Sequence, residues 1–426
     1  MKNILLLGSG GRECTLAWKL SQSPLCGNFY IAPGNAGTGA YGTNLPVSYN
    51  DFEGIKQACI THKIDILFPG PEDPLVAGIY DFFKNDPALK HIIVAGPSKE
   101  GAQLEGSKAF SKKFMARHDI PTAAYKEFTS ESFEQGVAYI KRSQMPIVIK
   151  ADGLAAGKGV VIAQNTIDAV KAFRAMVMDA QFGDASKKVV IEQFLDGIEL
   201  SVFALSDGSN YILLPEAKDY KRIGEGDKGP NTGGMGAISP VPFADAAFMQ
   251  KVTDRVVVPT VEGLKKENIT YQGFIFFGLI KVGDEPYVIE YNCRMGDPET
   301  EVVIPRLQND LVELIMKMHA GRLDEVKVVQ HSRAAAAVML VSEGYPGDYP
   351  KGRVMTGFDK VKGSLLFHAG TQQNGDHTVT NGGRVIAITS YGDTLKQALE
   401  KSYENAELVN YEGKYYRKDI GFEFLD

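Results

Sequence analysis

Two segments far apart in the chain carry the residue types needed to hold a nucleotide and its metal ion. Residues 146–163 (PIVIKADGLAAGKGVVIA) form a strand-like run that ends in Lys150 and opens into a glycine-rich loop. Residues 287–299 (YVIEYNCRMGDPE) place Glu290 and Asn292 two positions apart on a predicted strand. Because alternate residues of a strand face the same way, these two oxygen ligands share one face.

The glycine-rich loop has the parts of a phosphate cradle. Gly153, Gly157 and Gly159 allow backbone N–H groups to approach an anion, while Lys150 and Lys158 supply positive charge. The GxxxxGK[ST] pattern of a Walker A motif is absent from the sequence. The alternative interpretation is a solvated hairpin turn, since glycine-rich turns are common.

Glu290 and Asn292 suit magnesium, which takes few protein ligands and fills its octahedron with phosphate oxygens and water. Arg294 follows on the same alternation, where it would add a cation beside those phosphates. A polar pair at a strand end is the alternative. Together the two segments predict that the chain consumes ATP with magnesium. The next residues, Asp297-Pro298-Glu299, are typical of a helix start with Asp297 as N-cap, so we expect them to be structural rather than catalytic.

Two further segments are candidates for contact with ligands. In residues 189–200 (VVIEQFLDGIEL) a strand edge with Glu192 precedes a turn, which could offer backbone groups to an adenine while Glu199 reaches the ribose. A plain strand and loop is the alternative. Residues 216–240 are charged, glycine-rich and without a regular pattern. A disordered surface loop is the alternative there, but long irregular connections in compact enzymes are often functional, so we expect contact with substrate.

The elements that must position these residues begin with an N-terminal sheet. Short apolar runs at 4–7, 29–32, 64–68 and 92–95 alternate with helix-length segments, which predicts a parallel sheet covered on both faces. Ligands of such sheets bind beyond the carboxyl ends of the strands, so we expect a substrate pocket at the loops 8–13, 33–38 and 69–74.

The first of these loops is not a dinucleotide fingerprint. The pattern GxGxxG would need a glycine where Glu13 stands, and an acid should end the second strand, where the chain reads Ala32-Pro33-Gly34-Asn35. Both departures argue against NAD chemistry. Further along, the sequence predicts helices at 107–118, 131–142 and 166–178, a long helix at 245–266 broken at Pro259, a hairpin of strands 273–282 and 287–291, and a C-terminal α+β module.

The bulk composition sets the class of protein. A chain of 426 residues suggests two to four domains, and a net charge of −6 argues against a nucleic-acid partner. Four cysteines without CxxC spacing fit a reducing compartment, and no zinc pattern occurs. The sequence has no apolar run of about 18 residues and no secretory leader, so we expect no membrane partner and a cytoplasmic location.

Taken together, these segments resemble the ATP-grasp ligases, and among them the glycinamide ribonucleotide synthetases. The resemblance covers essentially the whole chain. It rests on GSGGRE at Gly8, APGNAGT at Ala32, GPEDPL at Gly70, GSKAFSKKFMARHDIPTA at Gly106, KADGLAAGKGV at Lys150, PNTGGMGAISP at Pro230 and EYNCRMGDPE at Glu290.

The resemblance implies an α/β ATP-grasp fold in three parts. These are an N-terminal doubly wound parallel-sheet domain (1–104), an ATP-grasp domain (105–326) with a mobile lid at about 123–194, and a small C-terminal α+β domain (327–426). It implies that ATP, with Mg²⁺ or Mn²⁺, drives the ligation of glycine to 5-phosphoribosylamine through a glycyl phosphate, in de novo purine biosynthesis. It also implies small-molecule substrates and a monomer or weak homodimer.

The resemblance further assigns the residues of the site. ATP would be bound by Lys108, Lys150, Gly153, Gly157, Lys158, Gly159, the hinge from Glu192 to Leu195, and Glu199. The metal would be bound by Glu290 and Asn292, and the catalytic cations would be Lys150 and Arg294. Phosphoribosylamine would contact Gly10, Gly11, Arg12, Pro71, Glu72 and Asp73. Glycine or the acyl phosphate would contact Asp219, Lys221, Thr232, Gly233 and Gly234.

One departure from the family pattern is visible at Cys14 and Thr15, which stand where His-Ala is usual. Either that histidine is not essential or phosphoribosylamine is bound differently, and Cys14 can also be a small buried residue. Two other functions are alternatives. The GGRE and PNTGGMGA segments argue against another ATP-grasp ligase, such as one acting on a different purine intermediate or on biotin. The retained lysines and metal ligands argue against an ATP-binding sensor without chemistry.

Overall fold

A five-stranded parallel sheet forms the N-terminal part of the chain, as the alternating apolar runs predict. The structure is a computed structural model that describes residues 1–154 and 159–425. The sheet order is β3-β2-β1-β4-β5. Its strands are β1 (Lys2–Gly8), β2 (Cys26–Pro33), β3 (Thr43–Asn44), β4 (Ile66–Pro69) and β5 (Ile93–Val94), and its helices are α1 (Gly11–Leu20), α2 (Phe52–Thr61), α3 (Glu72–Ala77) and α4 (Ile79–Asn85).

Both faces of this sheet are buried, which explains why its strands are apolar without alternation. Leu5 and Leu7 of β1 belong to one hydrophobic cluster, whereas Ile4 and Leu6 belong to another on the opposite face. All four residues have no exposed surface. The carboxyl ends of β1, β2 and β4 therefore lie at one edge, where their loops meet.

A second, antiparallel sheet carries the glycine-rich loop. Two helices lead into it, α5 (Gln103–Gly106) and α6 (Lys108–Arg117). The sheet order is β6-β9-β7-β8, built from β6 (Tyr125–Phe128), β7 (Ile147–Ala151), β8 (Val160–Ala163) and β9 (Val189–Gln193), with the helices α7 (Phe133–Arg142) and α8 (Thr166–Val177). This segment has a hydrophobic cluster of its own, centred on Phe173. The predicted helices at 107–118, 131–142 and 166–178 are confirmed.

The sheet that presents the metal-ligand strand follows. The next strands are β10 (Ile198–Ser206), β11 (Tyr211–Leu213), β12 (Lys218–Asp219), β13 (Arg222–Gly224), β14 (Lys228–Asn231), β15 (Gly236–Ser239), β16 (Gly273–Val282) and β17 (Glu285–Asn292). Of these, β11-β10-β16-β17 form one antiparallel sheet, and β13 and β14 form a hairpin. The predicted long helix is divided into α9 (Ala246–Val252), a π-helical turn at Thr253–Val257 and α10 (Val258–Lys266), with Pro259 in the first turn of α10.

The C-terminal sheet takes strands from two parts of the chain. Its order is β12-β15-β18-β22-β19, and β23 pairs with β18, so β12 and β15 leave the middle of the chain to join it. The remaining elements are α11 (Thr300–Arg306), α12 (Leu311–His319), β18 (Ala334–Ser342), β19 (Ser364–His368), β20 (Thr371–Asn374), β21 (His377–Thr380), β22 (Arg384–Gly392), α13 (Leu395–Leu408) and β23 (Lys414–Tyr415).

Two expectations from the sequence are wrong. The helix after the metal strand begins at Thr300 with Glu299 as N-cap residue, not at Asp297, because the Asp297 carboxylate instead accepts the backbone N–H of Arg12. Residues 216–240 are not irregular, since β12 to β15 lie within them and find partners in a hairpin or in the C-terminal sheet. In the described part of the chain, no helix is long and apolar enough to cross a membrane.

Candidate active site

The glycine-loop segment and the metal-ligand strand meet at Lys150. This lysine is the last residue but one of β7 and is buried. Its Nζ donates to Glu192 Oε2 on β9 at 3.0 Å and to the main-chain oxygen of Ile289 on β17 at 3.4 Å. The structure therefore brings together three of the predicted regions, one of them 139 residues away.

A second buried lysine, Lys112, was not predicted. Its Nζ lies 3.1 Å from Glu192 Oε2 and donates to Thr122 Oγ1 at 2.7 Å. Burial raises the pKa of the Glu192 carboxyl, but Lys150 and Lys112 outweigh it and hold that pKa below its usual value. Burial lowers the pKa of Lys112 to about 8. The i,i+4 spacing from Lys108 on a predicted helix was the signal that could have identified it.

Lys108 lies at the start of α6, whose N-cap is Ser107. Its Nζ donates to the carbonyl oxygen of Gly153 at 3.2 Å. Burial lowers the pKa of Lys108, and the nearby charge of Glu290 opposes that shift. Lys108 therefore lies between the glycine loop and the metal strand. Gly159 lies directly before β8, and its carbonyl oxygen accepts the N–H of Ala151 at 2.9 Å. The predicted contacts Gly157 and Lys158 lie outside the described residues.

The metal-ligand strand β17 contains a bulge. Glu290 pairs with Gly278 and Asn292 with Phe276, but Val288 pairs with Leu279, so Ile289 is the extra residue. The bulge lets both Val288 and Tyr291 enter the core while Glu290 and Asn292 turn to the other face. A Cβ atom at position 278 would lie 3.0 Å from Glu290 Cγ, so the glycine leaves room for the carboxylate.

The donor set of Glu290 and Asn292 fits a divalent cation. One carboxylate and one amide oxygen leave the remaining positions for phosphate oxygens and water, as magnesium prefers. Within residues 1–154 and 159–425, no group of three or more His, Cys, Asp or Glu side chains could hold a metal by itself. A metal at this strand would thus depend on its nucleotide for further ligands.

The candidate ribose contact Glu199 is paired with another predicted residue. Lys221 Nζ donates to Glu199 Oε2 at 2.6 Å and lies 3.9 Å from Asp219 Oδ1. Burial lowers the pKa of Lys221, yet Asp219 and Glu199 raise it well above its usual value. Burial raises the pKa of Asp219. The connection between β9 and β10 contains Leu195 of the predicted hinge. In the same connection, a side chain at Gly197 would collide with the carbonyl oxygen of Lys281.

The turn at Thr232–Gly234 is held by hydrogen bonds against Lys221. The N–H and Oγ1 of Thr232 both donate to the Lys221 carbonyl, at 2.7 and 2.8 Å. Thr232 Oγ1 in turn accepts the N–H of Gly234 at 2.9 Å. Gly234 has φ +117° and packs so closely on Pro298 that a Cβ atom would collide with it. This turn thus contacts both Lys221 and the end of the metal segment.

In the GSGGRE loop, Glu13 organises the backbone. Its Oε2 accepts the N–H of Gly10 at 2.7 Å, and its Oε1 accepts from Arg12 Nε at 2.6 Å. Arg12 is buried and also donates to the carbonyl of Met295 at 3.2 Å. A side chain at Gly11 would collide with Glu301. The loop is therefore fixed against the residues that follow the metal strand.

Arg294 joins the metal strand to the GPEDPL loop. Its guanidinium donates to Glu72 Oε2 at 3.2 Å and to Glu105 Oε1 at 2.7 Å. Burial raises the pKa of Glu72, but Arg294 and Arg12 overcome this and lower it to about 2. Pro71 is the N-cap residue of α3, and burial raises the pKa of Asp73. The structure thus places Arg294 in an ion-pair cluster with Glu72 of the GPEDPL loop and with Glu105.

A cavity of about 700 Å³ opens at the carboxyl edge of the N-terminal sheet, where the loops 8–13, 33–38 and 69–74 predict a pocket. Residues of the first two loops line it, but none of 69–74 does. Of the predicted phosphoribosylamine contacts, Gly10 lines it. Its other walls were not predicted, since the C-terminal segment 369–373 with Asn381 and Arg384 closes one side and Asp297 another. No sequence pattern in 369–373 (AGTQQ) distinguishes it from an ordinary turn, whereas Arg384 and Asp297 are charged residues that could have been considered.

Cys14, the departure from the family pattern, does not line this cavity. It is fully buried on α1 in a cluster with Met235, Met339 and Phe367, facing the C-terminal sheet. Burial raises the pKa of its thiol to about 12. The interpretation of Cys14 as a small buried residue is confirmed.

Comparison with known proteins gives one consistent result. Three family models match, described as the N domain (2–105), the ATP-grasp (A) domain (106–300) and the C domain (335–423) of phosphoribosylglycinamide synthetase. The phosphoribosylamine–glycine ligase of Yersinia pestis is 46% identical, with 99% of each chain covered. That of Vibrio cholerae is 45% identical, covering 99% of this chain and 98% of the relative.

Solved structures agree with these relatives. The crystal structure of phosphoribosylamine–glycine ligase from Thermotoga maritima matches with a TM-score of 0.85 and 35% identity, covering 98% of this chain and 99% of that one. A biotin carboxylase from Campylobacter jejuni matches with a TM-score of 0.72 at 16% identity, covering 99% and 94%. The second likeness shows a shared fold alone.

Proposed function

The chain belongs to the phosphoribosylglycinamide synthetase family, and from that membership we infer that it ligates glycine to 5-phosphoribosylamine while ATP is converted to ADP and phosphate. The enzyme uses ATP and a divalent metal ion to make glycinamide ribonucleotide in purine biosynthesis. The observation that carries the inference is the contact of Lys150 with Glu192 and Ile289, which joins the phosphate-binding segment, the adenine hinge and the metal strand.

The ATP site is proposed to lie between the antiparallel sheet β6-β9-β7-β8 and the antiparallel sheet β11-β10-β16-β17. Lys108 and Lys150 neutralise the phosphates, the loop from Gly153 to Gly159 covers them, and the backbone from Glu192 to Leu195 receives the adenine. Glu290 and Asn292 hold Mg²⁺ or Mn²⁺, and when bound the ion neutralises charge on the transferring phosphoryl group. We propose that the segment 123–194 acts as a mobile lid over this site, within an ATP-grasp domain spanning 105–326.

The ion pair of Glu199 with Lys221 supports a role for both residues in nucleotide binding. The ribose hydroxyls would compete with Lys221 for Glu199 Oε2, since that oxygen accepts the lysine at 2.6 Å. Lys221, next to Asp219 and Thr232, would then turn toward the phosphoryl group or the glycine carboxylate. Charge neutralisation and positioning are sufficient for this chemistry, because no covalent enzyme intermediate is required.

The amine substrate is proposed to occupy the cavity of about 700 Å³ at the N-terminal sheet. Gly10, which lines the cavity, and Gly11 would let the backbone approach its phosphate. Arg12 and the loop of Pro71, Glu72 and Asp73 do not line the cavity, and we propose them as contacts with the amine substrate at the same edge of the sheet. Glycine would lie against the turn of Thr232, Gly233 and Gly234. A catalytic role for Arg294 stays a prediction; its pairs with Glu72 and Glu105 support a part in holding the two substrate regions together.

The assay that tests the function combines the purified protein with ATP, glycine and phosphoribosylamine formed from ribose 5-phosphate and ammonia. ADP release should require all three, and the product should contain both glycine and the phosphoribosyl group. ADP release with a different amine and carboxylate would instead indicate another ATP-grasp ligase, and ATP binding without ADP release would indicate a sensor. A cytoplasmic location, domain boundaries at 104/105 and 326/327, and a monomeric or weakly dimeric state stay predictions.

A further inference from the structure

Asp297 lies where the amine cavity meets the turn proposed to hold glycine. Asp297 lines the cavity, with 12% of its side chain exposed. Its main-chain oxygen accepts from Arg384 Nη1 at 2.7 Å, and the same nitrogen donates to the carbonyl of Gly233 at 2.5 Å. Through Arg384, therefore, the carboxylate is tied to the Thr232–Gly234 turn.

Glu301, one helical turn later, is a fully buried acid on which Asp297 and Arg384 act. In the described part of the chain neither carboxyl oxygen of Glu301 receives a hydrogen bond, and its exposed fraction is 0%. Two adjoining buried carboxyl groups cannot both be ionised, so one proton lies between them. Burial and the charge of Asp297 raise the pKa of Glu301 well above its usual value, which assigns that proton to Glu301.

Asp297 carries the charge of the pair. Burial raises the pKa of its carboxyl, but Arg384, at 3.1 Å from Oδ1, and Arg12 outweigh this and lower it. The backbone N–H of Arg12 also donates to Oδ2 at 3.3 Å. The titratable groups that face Asp297 are thus the charged Arg384 from β22, the charged Arg12 from α1 and the neutral Glu301 from α11.

Four other acids near this edge have partners of their own and do not line the cavity. Glu13 pairs with Arg12, Glu72 and Glu105 pair with Arg294, and Glu299 accepts from Ser201. Among the described residues that line the cavity, Asp297 is the only acid. An ionised carboxylate facing an amine substrate can receive its proton, which is the task of a general base.

Resting on the proposed function, we propose that Asp297 accepts the proton of the attacking amine and that Glu301 positions Asp297 by donating a hydrogen bond to it. The amine nitrogen forms a bond to the acyl carbon of glycyl phosphate. The bond from that carbon to the phosphate oxygen breaks, and inorganic phosphate leaves with the electron pair. The proton passes from nitrogen to Asp297 and from there to solvent through the cavity.

The test compares two nucleophiles in the full-length enzyme with ATP, glycine and Mg²⁺. Hydroxylamine captures an acyl phosphate without a general base, whereas phosphoribosylamine is expected to need one. For Asp297→Asn, the ratio of phosphoribosylamine turnover to hydroxylamine turnover, each read as ADP release, should fall by about 10² or more. The matched control Asp284→Asn, in the exposed turn between β16 and β17, should keep the wild-type ratio.

The outcomes separate this proposal from the proposed function. An unchanged ratio in Asp297→Asn, whether both reactions persist or both fall together, overturns the role of Asp297. Wild-type enzyme that releases no glycine-dependent ADP with either nucleophile refutes the ligase activity instead.

Glu301 is tested by a conservative and a disruptive variant. Glu301→Gln still donates to Asp297 and should keep most of the ratio, whereas Glu301→Leu should lower it by about tenfold. Because a hydrogen bond to a carboxylate lowers its pKa, Glu301→Leu should also move the acidic limb of kcat to higher pH. An unmoved limb, or loss of the ratio in Glu301→Gln, overturns the positioning role, and the Gln variant answers the question even if the Leu variant does not fold.

Discussion

The amine of Lys150 donates a hydrogen bond to the main-chain oxygen of Ile289 at 3.4 Å. Ile289 is the bulged residue of β17, directly before Glu290. The strand that begins the glycine loop is therefore attached to the strand that presents the metal ligands, although the two belong to different sheets. In the proposed ATP site, movement of the 123–194 segment would change this contact and with it the position of the phosphates.

Glu290→Ala should reduce turnover by about 10³-fold at saturating ATP, because the metal loses its carboxylate ligand and the transferring phosphoryl group loses charge neutralisation. The measurement is ADP release across a Mg²⁺ titration, with the Mn²⁺ affinity of the ATP complex as a second readout. Glu285→Ala is the control, since Glu285 lies on the same strand but pairs with Lys251. Wild-type turnover in Glu290→Ala would remove it from the metal site.

Lys150→Ala should raise the KM for ATP by at least tenfold, because one phosphate loses a charge-assisted hydrogen bond in a buried setting. Lys188→Ala, which removes a partly exposed lysine directly before β9 that pairs with Glu127, should leave that KM unchanged. Steady-state kinetics with varied ATP distinguishes the two variants. A KM within twofold of wild type in Lys150→Ala would contradict the assignment.

Lys112→Met should lower stability by about 1–3 kcal/mol, because Glu192 would keep a single cationic partner for its buried carboxylate. A smaller rise in the KM for ATP than in Lys150→Ala should accompany it, since Lys112 acts through Glu192. The control is Lys113→Met, which removes the adjacent exposed lysine of α6. Equal thermal unfolding of the two methionine variants would show that the buried pair contributes nothing.

The pH dependence of stability should include a contribution from His368. Burial lowers the pKa of this side chain to about 4, below the ordinary value of 6.5. Between these values the unfolded chain binds a proton that the folded chain does not, so folding loses up to about 3 kcal/mol as the pH falls from 6.5 to 4. The Tm of wild type should therefore fall more steeply over this range than that of His368→Gln. Parallel curves would disprove the contribution.

The N-terminal sheet and the shared face of Glu290 and Asn292 were predictable from the sequence. Leu5 and Leu7 face one cluster and Ile4 and Leu6 the other, so an unbroken apolar run correctly indicates a doubly covered strand. The alternation of Glu290 and Asn292 also placed both on one face. The bulge at Ile289 had no signal in the sequence, yet it is what lets Tyr291 enter the core beside them.

Pairs between distant residues account for what the sequence did not reveal. The prediction of Asp297 as a helix N-cap was wrong because Arg12, 285 residues away, and Arg384 take the carboxylate. A local capping preference of about 1 kcal/mol cannot compete with two such partners. The cavity wall at 369–373 was missed for the same reason, since only the packing of the C-terminal sheet on α1 brings it there.

Strand β15, Gly236–Ser239, pairs along Ala335–Val338 of β18, so the middle of the chain completes the C-terminal sheet. A gene split or recombination event at residue 327 would therefore leave β18 with a bare edge, which in a free fragment invites aggregation. It would also remove β18, the strand with which β15 pairs directly after the Thr232–Gly234 turn. The C-terminal portion is consequently not an exchangeable module. A recombined protein that contains this portion must also contain β15.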